Sequence, residues 1–140
     1  MIPVYAAGAE TPYYYFAMRL VRGGTLQTAM RKGIKRGLIL AGKLKDRAEA
    51  GQVLAFAERT GFPVFADITS GLRLGCRHPL VISCFDQLLF SPRSRSALKI
   101  DGVVHFGGRM TSRRLYDFLQ KKDLREYMSV LSHPLRSDPF

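Results

Sequence analysis

Apolar residues follow two rhythms along this chain. Short continuous runs read as buried strands: Gly37–Ala41 (GLILA), residues 63–66 (PVFA), the Val103, Val104 and Phe106 run, and residues 127–131 (YMSVL). Runs of that kind suit strands covered on both faces, as in a parallel sheet. Between them the apolar positions return at helical spacing. Ala50, Val53, Leu54 and Ala57 form one such face, and Leu115, Phe118 and Leu119 another. Leu26, Met30 and Ile34 recur at four-residue spacing, so residues 25–36 read as a short helix with a basic outer face. Residues 80–90 (LVISCFDQLLF) could begin as a strand but read better as a short helix, because Ile82, Phe85, Leu88 and Leu89 share a face.

The punctuation agrees with this division. Asp46 can cap the helix after Gly42, with Glu49 three residues on, and Gly61 suits its C-terminal end. Asp67 closes the second strand, either as a cap or as a ligand contact. A glycine-punctuated loop carrying Arg73, Arg77 and His78 follows, with His78 read as structural or solvated. Residues 91–99 (SPRSRSALK) read as a polar surface connection. The last residues, SHPLRSDPF, read as an exit with no element of their own.

The order helix, β, α, β, short α, β, α, β implies an α/β fold: a three-layer open parallel sheet flanked by helices, Rossmann-like. Residues 25–140 are expected to form this domain. Residues 1–24 are expected to be an N-terminal arm or linker. Tyr13, Tyr14, Tyr15 and Phe16 stand there in succession without a period, which favours packing on something outside the chain over stacking on bases.

Composition narrows the class. The 140 residues are 46% hydrophobic, enough for one domain with a real core. Lys and Arg number 22 against 11 Asp and Glu, a net charge of +11. That excess points to an anionic substrate, an acidic partner surface or nucleic acid. The basic residues are spread along the whole sequence, which disfavours nucleic acid. The two cysteines, Cys76 and Cys84, make no CxxC and read as reduced thiols. No apolar run approaches the roughly 18 residues of a membrane span, and the start does not read as a signal peptide, so a cytoplasmic location is expected.

Catalytic constellations are missing from the sequence. There is no GxSxG, HExxH or P-loop. Cys84 and His105 could in principle meet as nucleophile and base, but His105 stands inside an apolar strand, where a hydrogen-bonded core histidine is the simpler reading.

One stretch gathers chemistry. In residues 101–119 (DGVVHFGGRMTSRRLYDFL), a strand meets the pair Gly107 and Gly108, and a helix begins with Thr111 or Ser112 as its cap. A turn of this form can present backbone N–H groups to an anion. Arg109, Arg113 and Arg114 add planar forks that match carboxylates and phosphates. The residues alone favour a Gly-Gly turn without a ligand and solvated arginines, since GGRMTS is not the GxGxxG fingerprint.

The phrases GLILAGKL, FPVFADITSGLRLG, VVHFGGRMTSRRLYDFL and SHPLRSDP stand in an order, and at intervals, that resemble the middle domain of the 2-succinyl-5-enolpyruvyl-6-hydroxy-3-cyclohexene-1-carboxylate (SEPHCHC) synthases of menaquinone biosynthesis. The resemblance covers roughly residues 25–140. It implies a three-domain transferase that uses thiamine diphosphate and magnesium, decarboxylates 2-oxoglutarate and adds the product to isochorismate. The glutamate that activates thiamine and the GDG…N motif that holds diphosphate and metal belong to the flanking domains. The resemblance therefore implies no cofactor in this fragment, no catalytic or metal-binding residue, and no synthase activity by itself. It implies the flanking thiamine-binding domains as partners, isochorismate and 2-oxoglutarate as anionic substrates, and a homo-oligomer at full length. The central domain of the family resembles nucleotide-binding domains without using FAD. Arg113 matches the basic position on the family's substrate side, and Arg109 is the neighbouring candidate. The alternative is a stand-alone basic nucleotide- or nucleic-acid-binding α/β module.

Overall fold

The computed structural model describes residues 4–10, 13–18 and 33–131. Seven strands form one sheet: β1 (Val4–Glu10), β2 (Tyr13–Met18), β3 (Gly37–Ala41), β4 (Val64–Ala66), β5 (Val81–Ile82), β6 (Gly102–Phe106) and β7 (Glu126–Leu131). Among the described residues the helices are α1 (Arg47–Thr60), α2 (Phe85–Leu88), α3 (Pro92–Ala97) and α4 (Arg113–Gln120), with a 3-10 turn at Ile68–Ser70. The spatial order is β1-β2-β7-β6-β3-β4-β5. The five strands from β7 to β5 are all parallel, as the continuous apolar runs require.

Alternation along the strands divides the core between the two faces of the sheet. Leu38, Leu40, Phe65 and Val103 pack with Phe85, Met110, Leu115, Phe118 and Leu119 on the face covered by α2 and α4. Ile39, Ala41, Val64 and Ala66 pack with Val53 and Ala57 of α1 on the opposite face. Every residue of β3 is buried, because helices cover it from both sides. Phe65 and Phe85 stack at 5.0 Å, an offset pairing that ties α2 to β4.

α1 starts and stops where its residues dictate. The Asp46 side chain accepts from the Glu49 N–H at 2.9 Å, and the Glu49 carboxylate accepts from the Lys45 N–H. The reciprocal bond of a capping box thus reaches one residue beyond the cap. Gly61 takes φ 71° and donates to the Ala57 carbonyl at 2.8 Å.

Three segments differ from expectation. Part of the expected N-terminal arm forms the β1–β2 hairpin, which joins the sheet antiparallel on β7. An antiparallel addition needs only a tight turn, and the consecutive aromatics hid its period. Residues 80–90 split into β5 and then α2, because the Leu80 carbonyl accepts from the Val64 N–H at 2.7 Å and draws the segment to the sheet edge. Residues 91–99 hold α3, capped by Ser91 with Pro92 in its first turn. No residue of α3 is buried, so apolar periodicity could not reveal it. The expected helix at residues 25–36 lies outside the described residues up to 32, as do the terminal residues 132–140.

Glu126, at the entrance of β7, gives a pH test of the packing. Burial raises its pKa, and its Oε2 atom is buried with no hydrogen-bond partner among the described residues. The folded state therefore takes up this proton at higher pH than the unfolded chain does. Stability falls as pH rises from the ordinary carboxylate range through the raised value. Glu126→Gln should melt close to the parent at pH 4 and above it at pH 7. Parallel melting curves across that range would refute the assignment.

Candidate functional site

The strand-to-helix turn lies at the carboxyl edge of the sheet, where the chain order switches direction. From β3 the chain moves to β4 on one side, and β6 returns to pair on the other. Open α/β sheets commonly bind ligands in the crevice at such a switch. Here the two loops fill it. The Gly42 N–H donates to the Phe106 carbonyl and the Gly108 N–H to the Lys43 carbonyl, both at 2.9 Å. A Cβ on Gly42 would stand 1.7 Å from the Gly108 oxygen. Gly107 takes φ 76°, and a Cβ there would meet the Lys43 oxygen at 2.4 Å.

Several other polar groups of the turn are also engaged internally. Gly107 donates its N–H to the Val130 carbonyl at 2.9 Å. The Met110 N–H donates to the Tyr116 hydroxyl at 3.1 Å, while the Met110 side chain is fully buried. The Thr111 N–H and hydroxyl both donate to Asp67 Oδ2, at 2.7 and 2.8 Å. Ser112, rather than Thr111, caps α4 by accepting from the Leu115 N–H at 3.2 Å. These bonds commit the amides of Gly107, Gly108, Met110 and Thr111 to the fold, with a carboxylate of the chain itself holding the Thr111 amide.

Asp67 is thus a cap and a clamp. Its Oδ1 atom accepts from the Thr69 N–H at 3.0 Å and the Thr69 hydroxyl at 2.8 Å. Burial alone would raise its pKa, but the N–H and O–H donors of Thr111 and Thr69 outweigh that and hold it below the ordinary carboxylate value. His105 is the core histidine expected. Its Nε2 atom lies 2.9 Å from the Gly108 carbonyl and its Nδ1 atom 2.7 Å from the Tyr127 hydroxyl. A carbonyl only accepts, so Nε2 carries the hydrogen and Nδ1 accepts from Tyr127. Cys84 is exposed. His78 bonds Glu58 at 3.0 Å through Nε2, and its Nδ1 atom accepts from the Leu80 N–H at 3.3 Å, a structural role.

The cationic side chains divide into two kinds. Arg109 and Arg113 are exposed, and neither has an ion pair among the described residues. Arg114 is half-buried. It pairs with the Asp86 carboxylate from α2, and its guanidinium lies 5.3 Å from the centre of the Phe90 ring. Asp86 also accepts from the Ser112 hydroxyl at 2.5 Å. Sequence reading missed Asp86, Tyr116 and Tyr127, whose partners are remote or lack a motif. Among the described residues no group of three or more His, Cys, Asp or Glu could hold a metal ion, and no helix is long and apolar enough to cross a membrane.

Comparison with known proteins agrees with this architecture. The 2-succinyl-5-enolpyruvyl-6-hydroxy-3-cyclohexene-1-carboxylate synthase of Shewanella amazonensis is 34% identical over 132 residues, 93% of this chain and 23% of the relative. The synthase of the same name from Shewanella loihica is 35% identical over 130 residues, 91% of this chain and 22% of the relative. That from Shewanella oneidensis is 37% identical over 105 residues, 74% of this chain and 18% of the relative. The chain spans less than a quarter of the length of these curated relatives. A family described as the middle domain of thiamine pyrophosphate matches residues 8–140, from within β1 to the last residue. With five parallel strands between two helical layers, the chain belongs to this thiamine pyrophosphate middle-domain family.

Proposed function

We propose that this chain is the middle domain of a SEPHCHC synthase, and that Arg109 and Arg113 lend it a binding surface for anionic substrates. The overall reaction is the thiamine-dependent decarboxylation of 2-oxoglutarate and addition to isochorismate, in a cytoplasmic homo-oligomer. Its thiamine diphosphate and magnesium are held by domains outside this chain. The turn at Gly107 and Gly108 does not fit a diphosphate–metal group. Its amides at Gly107, Gly108, Met110 and Thr111 are spent on internal acceptors, and the carboxylate beside it, Asp67, is saturated with donors.

The observation that carries the substrate reading is the contrast within residues 107–114. Most of the turn's polar groups are consumed by the fold, and two guanidinium groups are left exposed beside it. Each can form paired hydrogen bonds with a carboxylate, the group both substrates present. The surplus of positive charge also raises the local concentration of anions and speeds encounter.

Arg109→Ala and Arg113→Ala should leave melting nearly unchanged, within about 0.5 kcal/mol, as exposed substitutions do. In the full-length enzyme each should raise KM for isochorismate or 2-oxoglutarate about tenfold or more, the scale of a lost charge-assisted hydrogen bond. Parent-like kinetics in both variants would remove the substrate site from this turn.

A further inference from the structure

We propose that Asp86 is a positioning residue for Arg113: it holds both of Arg113's chain neighbours and so fixes the backbone from which that guanidinium meets substrate. The inference rests on the substrate reading of Arg113 and names the group that makes that arginine effective.

Arg113 is the first residue of α4, an eight-residue helix. Short helices fray at their ends unless something outside them holds the first turn. Asp86 supplies that hold from a separate element. One carboxylate oxygen accepts from the Ser112 hydroxyl at 2.5 Å, and the other pairs with Arg114 Nη1. The backbone carbonyl of Asp86 accepts from the same Arg114 nitrogen at 3.3 Å. Ser112 meanwhile caps α4 through the Leu115 N–H. One carboxylate therefore grips the residues on either side of Arg113 and does not pair with Arg113 itself.

The same contacts sort the charges. Asp86 neutralises Arg114, and Phe90 stacks beneath that guanidinium, so Arg114 is committed to the fold. Arg113 keeps its full charge for an incoming anion. The Asp86 and Arg114 side chains are 39% and 38% exposed, so water screens the pair. Screened pairs contribute little to stability. Geometry, more than stability, is what this pair supplies. An arginine side chain loses rotamer freedom when it binds, and a wandering backbone beneath it would add to that loss.

A double-mutant cycle in the full-length synthase tests this, with isochorismate and 2-oxoglutarate as the varied substrates. Asp86→Asn should raise KM for the substrate that Arg113 serves by about tenfold, the scale of a small misplacement. Its kcat should stay within about twofold, and its melting temperature should change little. In an Arg113→Ala background, Asp86→Asn should change KM by less than about twofold, because it acts through the missing arginine. Should Asp86→Asn fail to fold, Arg114→Met breaks the same pair from the other side and should reproduce the KM effect. A full tenfold effect persisting without Arg113 overturns the proposal. So does a flat Asp86→Asn beside an impaired Arg113→Ala, which leaves the substrate reading standing. A flat Arg113→Ala removes the substrate reading, and the positioning role with it.

Discussion

Gly42→Ala should be the most damaging single-methyl substitution in the domain, lowering the melting temperature by about 15 °C. The added Cβ would stand 1.7 Å from the Gly108 carbonyl oxygen and 2.7 Å from its carbon. Neither atom is free to retreat. The Gly108 oxygen sits 2.9 Å from His105 Nε2, and its N–H donates to Lys43. Making room means separating the two loops and losing bonds worth about 1 kcal/mol each, on top of overpacking that costs roughly 1–3 kcal/mol. The sum, about 4 kcal/mol, is a large part of the stability of a domain this size. Gly51→Ala is the control. Gly51 lies within α1, and a Cβ there meets nothing within 4 Å. It should stabilise by about 0.5–1 kcal/mol through helix propensity. Thermal melts of both variants decide the matter: a Gly42→Ala protein melting within a few degrees of the parent would mean the loops are not in contact.

Asp67→Ala should follow, with a loss of about 3 kcal/mol. Four donors from Thr69 and Thr111 converge on this carboxylate, which is 1% exposed. Hydrogen bonds to a charged group contribute about 1.5–3 kcal/mol each, but the freed donors on the exposed Thr69 and Thr111 regain water, so the four do not add. The loss should depend on pH in a definite direction. Because the donors depress the folded pKa of Asp67, its stabilisation is complete above the ordinary carboxylate pKa and disappears as pH falls through the depressed value. Denaturant titrations at pH 7 and pH 3 should show the gap between parent and variant narrowing at pH 3. A gap of equal size at both would mean the interaction is not with the ionised group.

Much of the fold could be read from the chain, because its signals are local. The unbroken apolar run of β3 announced burial on both faces, and Asp46 with Gly61 bracketed α1. What escaped lacked a local signal. α3 buries nothing, so it leaves no apolar period, and β5 is too short to show alternation. The site divides in the same way. Arg109 and Arg113 could be placed beside a glycine turn from sequence alone. That the turn's amides are already occupied could not, because Asp67 reaches Thr111 across 44 positions and Asp86 reaches Ser112 across 26. A carboxylate that far away reads as any surface acid until the fold brings it home.

The two-residue length of β5 bears on how the protein behaves in concentrated solution. As the outermost member of the sheet on its side, it offers a foreign polypeptide almost no row of unsatisfied N–H and C=O groups to zip onto. That flank of the molecule is therefore a poor template for runaway fibre growth, a protection obtained by brevity instead of by charge or proline.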